Sequence, residues 1–219
     1  EKMKANFSGF GSVVETLPGA YHRLEDSEYL TIGGTRWRVF IGSGHSPEHV
    51  CLYSAAKNVL ISGDQVIPRI TSNVSVSPGE PQGNPLRHWL ASHQDFLERL
   101  PSDPMVLPAH NTPFYGLHHR LRYLIQHHED HLLALEEACQ TPRSAVELLP
   151  VLFKRELDQN QIGMALGECV AHLNYLLQRS QLTSSLDEAG VRKYLSVDDT
   201  LQQRLRQGSH EPDEQPLQV

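Results

Sequence analysis

The sequence predicts an α/β fold followed by a small unit made of helices and one β-hairpin. Three observations carry this. Short apolar runs rich in β-branched and aromatic residues lie between Tyr29 and Leu107, separated by glycine-containing turns. One amphipathic helical pattern interrupts them. Beyond Thr141 the texture changes to two helical patterns and then one hairpin. At 219 residues the chain is long enough for one large domain or two small ones, with a buried core.

Glu1 to Arg23 is punctuated by Gly9, Gly11, Pro18 and Gly19 and reads as a helix end followed by loop. Tyr29-Leu30-Thr31-Ile32, Gly33-Gly34 and Trp37-Arg38-Val39-Phe40-Ile41 then form a hairpin pattern with a glycine turn. Val50-Cys51-Leu52-Tyr53 is a short strand, and Ala55 to Asn58 turn the chain. Val59-Leu60-Ile61 is apolar throughout, so both of its faces are expected to be buried. Val66 to Pro85 is rich in Pro, Ser, Asn and Gly, and a connection of this length usually serves as a lid or binding loop. Pro85 opens a helix with Leu86, Leu90, Phe96, Leu97 and Leu100 on its apolar face, and Pro101 lies just beyond. Met105-Val106-Leu107 is a strand, and Leu117 to about Cys139 a long helix.

Thr141 with Pro142 reads as a cap and a first-turn proline. Ala145 to Leu157 is helical in pattern, with Pro150 able to bend or break it. Gln161 to Arg179 carries Leu166, Val170, Leu173, Leu176 and Leu177 at helical spacing. Leu182 to Leu186, a turn at Asp187 to Gly190 and Val191 to Leu195 complete a hairpin. Helix, helix, hairpin is the order of a winged-helix domain. Ser209 to Val219, polar with two prolines, reads as disordered tail. The expected division is residues 1–139, a winged-helix-like unit at 140–197, and a tail at 198–219.

Composition narrows function. The net charge of −7 argues against a protein that grips nucleic acid by bulk charge. No apolar run approaches the roughly 20 residues of a membrane helix. Three scattered cysteines point to a reducing, cytoplasmic setting and not to a disulfide framework or cysteine zinc site. Histidine is abundant, at 13.

Three short motifs place metal-type ligands just after predicted strands. Gly44-His45-Ser46-Pro47-Glu48-His49 follows Phe40-Ile41. Ser62-Gly63-Asp64 follows Val59-Leu60-Ile61. Pro108-Ala109-His110-Asn111 follows Met105-Val106-Leu107. The carboxyl ends of strands are where α/β proteins build sites, and imidazole and carboxylate are ligands that zinc accepts. Alone, each motif reads more often as a turn than as a ligand; together they resemble the third, fourth and fifth metal motifs of the metallo-β-lactamase superfamily, especially its glyoxalase II-like hydrolases.

The resemblance covers roughly residues 28 to 125. It implies an αββα sandwich, of which this chain holds mainly the C-terminal half, and two divalent metal ions, zinc by preference. It implies that His45 binds one metal, Asp64 bridges both and serves catalysis, and His110 binds the other. His49 is expected to support a ligand or to pack, and Arg69, Ser72 and Asn73 in the long loop read equally as substrate contacts and as exposed loop. The implied activity is hydrolysis of an ester, thioester or lactone of a small molecule by metal-bound hydroxide. The family's H-x-H-x-D-H signature has no counterpart before His45, where the only histidine is His22. The signature is therefore expected upstream of Glu1, and three ligands for two metals are expected to bind metal weakly.

Gln126-His127-His128-Glu129-Asp130-His131 approaches that signature but follows His110 and sits in a helical pattern; it reads as a solvated polar helix face. His118 and His119 open the same helix and are expected at the surface; Cys51, Trp37 and Trp89 are expected to pack in the core. Some relatives with winged-helix-like tails are endoribonucleases, so phosphodiester hydrolysis and non-catalytic nucleic-acid binding stand as alternatives. Between Thr141 and Ser196, however, six basic side chains are balanced by six acidic ones, which does not favour a nucleic-acid face. The tail unit is expected to cover the active-site cleft or to support a homodimer.

Overall fold

Gly33 and Gly34, both at positive φ, close a tight turn between strands β1 (Tyr29–Ile32) and β2 (Thr35–Gly42). From this hairpin the chain builds a five-stranded sheet by adding β3 (His49–Ser54), β4 (Val59–Gly63) and β5 (Met105–Pro108) in simple order. The computed structural model describes residues 19–100 and 103–207. The expectations for residues 1–18, Pro101 and Ser209 to Val219 lie outside them.

The first three strand pairings are antiparallel, and β4 with β5 is parallel. A parallel pair needs a crossover, supplied by helix α1 (Pro85–Arg99). Asn84 caps this helix by accepting from the Arg87 amide at 3.1 Å, with Pro85 in its first turn. One edge of the sheet thus gathers the carboxyl ends of β2, β4 and β5 and the start of β3. All three sequence motifs emerge there.

Helices cover one sheet face. Phe40, Cys51, Tyr53, Leu60 and Val106 pack against Leu86, Trp89 and Phe96 of α1 and against helix α2 (Leu117–Ala138). Each such side chain contributes about 1.5–3 kcal/mol through burial. On the other face Val50 and Ile61 are each 39% exposed. The expectation that β4 is buried on both faces is therefore corrected: Leu60 points into the helical layer and Ile61 away from it.

The same core continues through helix α3 (Ala145–Leu152), helix α4 (Gln159–Gln178) and the hairpin of β6 (Leu182–Leu186) and β7 (Arg192–Ser196), as far as Tyr194. Ser144, not Thr141, caps α3, in a reciprocal box with Glu147. The reason is tertiary. Arg143 exchanges backbone hydrogen bonds of 3.0 and 2.7 Å with Tyr194, which keeps the preceding segment extended. Pro150 stands inside α3, which ends two residues later.

The tail expected from residue 198 is structured at its start. Helix α5 (Leu201–Gln207) docks on α2 through Arg204, which donates to Glu136 and Asp198 at 2.6 Å each. Glu136 is fully buried and also accepts from Gln181 at 2.9 Å. A buried carboxylate requires such partners. No helix among the described residues is long and apolar enough to cross a membrane.

Candidate metal centre at the sheet edge

The chain leaves β2 through Gly42, Ser43 and Gly44. Gly44 has φ +102°, and a Cβ there would lie 2.3 Å from Trp89 Cβ. Only glycine lets the loop press onto α1 and turn His45 back over the sheet edge. Ser43 Oγ donates to the Pro47 carbonyl at 2.9 Å and closes the loop.

Asp64 follows Gly63, which has φ +55° and whose Cβ would lie 2.4 Å from His49 Nε2. That close approach has a purpose: His49 Nε2 accepts the Asp64 backbone N–H at 3.1 Å. The Asp64 carbonyl accepts from Ser72 Oγ. His49 is thus a buttress for the Asp64 backbone. Burial pulls its pKa below the usual imidazole value, and neighbouring His45 adds to the effect. His110 follows β5, positioned by the Ala109 amide, which donates to the Gly63 carbonyl at 3.0 Å.

His45 Nε2 lies 3.8 Å from Asp64 Oδ2, and His110 Nε2 lies 3.2 Å from Asp64 Oδ1. Each carboxylate oxygen therefore faces one imidazole. The Asp64 side chain is 29% exposed and that of His110 69%, so the cluster opens outward. His45 Nδ1 donates to the Asn73 carbonyl at 2.9 Å, which leaves its Nε2 with a free lone pair. Two imidazoles and one carboxylate with an oxygen toward each form a donor set that fits divalent metal ions of the zinc type.

Asn73 belongs to the long loop after Asp64, and that loop is pinned at several points. Ser75 Oγ donates to Asn73 Oδ1 at 2.7 Å, and Asn73 Nδ2 donates to Glu168 Oε2 at 3.3 Å. Buried Arg120 donates to the Ile67 carbonyl at 2.8 Å and also to that of Ile70. Ile70 has φ +53°, a costly conformation for a β-branched residue, and is 76% exposed.

A cavity of about 960 Å³ lies between this loop, α2 and the α3–α4 region. Arg69, Asn73, Thr112, His119, His131, Arg155 and Glu168 are among its lining residues. The C-terminal unit supplies a wall through Phe153, Met164 and Glu168. Burial pushes the Glu168 carboxyl up to about 7, against the opposing pull of the Asn73 hydrogen bond.

The reading of Gln126 to His131 as a solvated face is corrected. His128 is fully buried and stands edge-on to Trp89, with ring centroids 4.7 Å apart. His127 and His131 have ring centroids 4.0 Å apart with their planes tilted by 55°, and both line the cavity. Across the helix interface His128 Nδ1 meets His172 Nε2 of α4 at 3.0 Å. His118 is half-buried and His119 exposed; Cys51 and Trp89 are core, as expected, while Trp37 is half-buried. Nothing local in the sequence marks Glu168, Arg120 or His172, because a helical Glu, Arg or His that a partner helix will bury looks like any other.

A mixed sheet covered by helices on one face, with its polar cluster at the strand ends, defines an α/β protein that builds its site on an edge. Residues 14–110 match the model of the metallo-β-lactamase superfamily, and residues 132–197 that of the metallo-β-lactamase-like C-terminal domain. The chain belongs to the metallo-β-lactamase superfamily. A β-lactamase domain protein from Burkholderia ambifaria is 40% identical and superposes with a TM-score of 0.82, over 90% of this chain and 60% of its own. A metallo-β-lactamase family protein from Thermus thermophilus is 28% identical with a TM-score of 0.70, over 82% of this chain and 55% of its own. An uncharacterized protein of Aquifex aeolicus is 30% identical over 106 residues, 48% of either chain. The lactamase-like protein nscB of Neosartorya fischeri is 27% identical over 138 residues, 62% of this chain and 38% of its own. The chain thus spans about half the length of these curated relatives, or less.

Proposed function

We propose that this chain forms part of a metal-dependent hydrolase acting on an ester, thioester or lactone that carries an anionic group. Asp64 would be the shared ligand, with His45 holding one metal and His110 the other, zinc being the ion this donor set suits. The observation that carries the reading is the Asp64 carboxylate, which turns one oxygen toward each imidazole. Metals bound there supply a hydroxide nucleophile at neutral pH and a positive charge opposite the developing oxyanion.

The chain's own groups do the positioning. His49 and Ser72 fix the Asp64 backbone from both sides, and the Asn73 carbonyl fixes the tautomer and tilt of His45. With metal bound, an Asp64 oxygen would also orient the attacking water. The cavity lining does not include His45, Asp64 or His110, but it includes Asn73, whose carbonyl holds His45; from there Arg69 and Arg155 on its wall would favour an anionic substrate end, and the apolar side chains of Phe153 and Met164 would suit an acyl chain.

The test is hydrolysis by the protein with zinc, measured on acyl thioesters, lactones and single-stranded RNA, beside Asp64→Asn. Acyl hydrolysis that the variant loses is expected. RNA cleavage without acyl hydrolysis would overturn the substrate class, and an active Asp64→Asn variant would overturn the site.

A further inference from the structure

We propose that His128, His131 and His172 form a further divalent-metal site of the zinc type, separate from the Asp64 cluster and facing the cavity through His131. One ligand nitrogen from each of the three rings lies within 4.8 Å of the other two. His128 and His131 are one turn apart on α2, and His172 reaches them from α4.

The tautomers support the assignment. His172 Nδ1 lies 2.8 Å from the Glu168 carbonyl. A carbonyl only accepts, so Nδ1 carries the proton and Nε2 presents its lone pair, the arrangement of a metal-ligating histidine. His128 Nδ1 donates to that lone pair at 3.0 Å; on metal binding its proton would move to His128 Nε2, and Nδ1 would join the set. Two nitrogens on one tetrahedral zinc stand about 3.3 Å apart, given zinc–nitrogen bonds of about 2.0–2.1 Å. His131 Nδ1 and His128 Nε2 are buried without a hydrogen-bond partner. Such orphaned groups are costly, and a metal ion gives one of them a partner.

Burial also keeps all three rings neutral, with His131 pulled down to about 3 and His172 to about 4. The neutral ring is the ligand form. No carboxylate enters the set, since the Glu168 side chain is turned to Asn73. Imidazole alone suits zinc and its transition-metal neighbours and does not suit magnesium or calcium. Three protein ligands beside a cavity leave a coordination position open.

The experiment compares zinc retained after desalting, read by mass spectrometry of the metal, with magnesium as control. The parent is Asp64→Asn/His110→Ala, which cripples the sheet-edge cluster. Adding His131→Ala, at a half-buried position, should remove one zinc per chain or weaken zinc binding at least tenfold, with circular dichroism unchanged. Adding His172→Gln should do the same. Equal zinc in the parent and in both derived variants would overturn the site. Because the parent already lacks Asp64 and His110, the result is independent of whether they hold metal.

Discussion

The molecule carries two groups of histidines built on opposite principles. At the sheet edge, His45 and His110 flank a carboxylate and open outward, on loops that leave strand ends. At the helix interface, His128 and His172 are fully buried and, among the described residues, bond each other and not a carboxylate. An acid between two imidazoles supplies charge, so that group can hold cations in contact with water. A set of imidazoles packed between helices obtains its neutrality from desolvation instead. Trp89 stands between the two: its Cβ backs Gly44, while its ring stacks on His93 at 3.5 Å and meets His128 edge-on. The number of histidines therefore says little about chemistry, and their surroundings say most of it.

The largest expected effect separates the two groups by activity. Under the proposed function, Asp64→Asn should lower kcat/KM for acyl substrate by at least about a hundredfold, since it removes the carboxylate charge between the two imidazoles. His131→Ala should cost far less. Equal losses would show that the two groups act as one centre.

Next in size is the wall between them. Trp89→Ala should destabilise the fold by about 3–5 kcal/mol in urea denaturation, the usual cost of truncating a buried Trp. A loss below about 1 kcal/mol would mean that the two groups are not mechanically linked through this ring.

A smaller effect comes from Glu168, which hydrogen-bonds Asn73 with its side chain and His172 with its carbonyl. Its pKa is raised from 4.5 to about 7, so its proton is held more tightly folded than unfolded. The associated stability is complete below pH 4.5 and is lost as pH rises toward 7. Glu168→Gln removes this titration. Relative to the wild type, the variant should gain up to about 3 kcal/mol between pH 4.5 and pH 8. Thermal or urea unfolding at both pH values reads the difference; a constant offset would place the carboxyl at its ordinary pKa.

The five strands and the Asp64 cluster were legible because their signals are local. Glycine turns and short apolar runs mark the strands, and each site residue stands directly after one. What escaped depends on partners distant in sequence. Ile61 is apolar like Leu60, and only the placement of the helical layer decides which of them is covered. His128 looks like its polar neighbours until α1 and α4 close over it. Helix α5 has little apolar pattern of its own and is held by Arg204 on buried Glu136. The Ser144 cap, by contrast, was written locally as Ser-x-x-Glu and was outcompeted by the equally plausible Thr141-Pro142 pair. The bridge from Arg143 to Tyr194 decides between them.

The smallest effect tests how the loop joins the two groups. The bond that orients His45 comes from the Asn73 backbone carbonyl, and substitution does not remove a carbonyl. Asn73→Ala deletes only the side-chain bonds with Ser75 and Glu168, at a cost of about 1 kcal/mol of stability. Zinc occupancy at the sheet edge should be unchanged. The Glu168 carboxyl should rise further, since the deleted bond was the one lowering it. If instead kcat/KM falls tenfold or more at constant zinc content, the Asn73 side chain touches substrate. The loop would then be part of the binding surface and not only the strut that carries Glu168 toward His45.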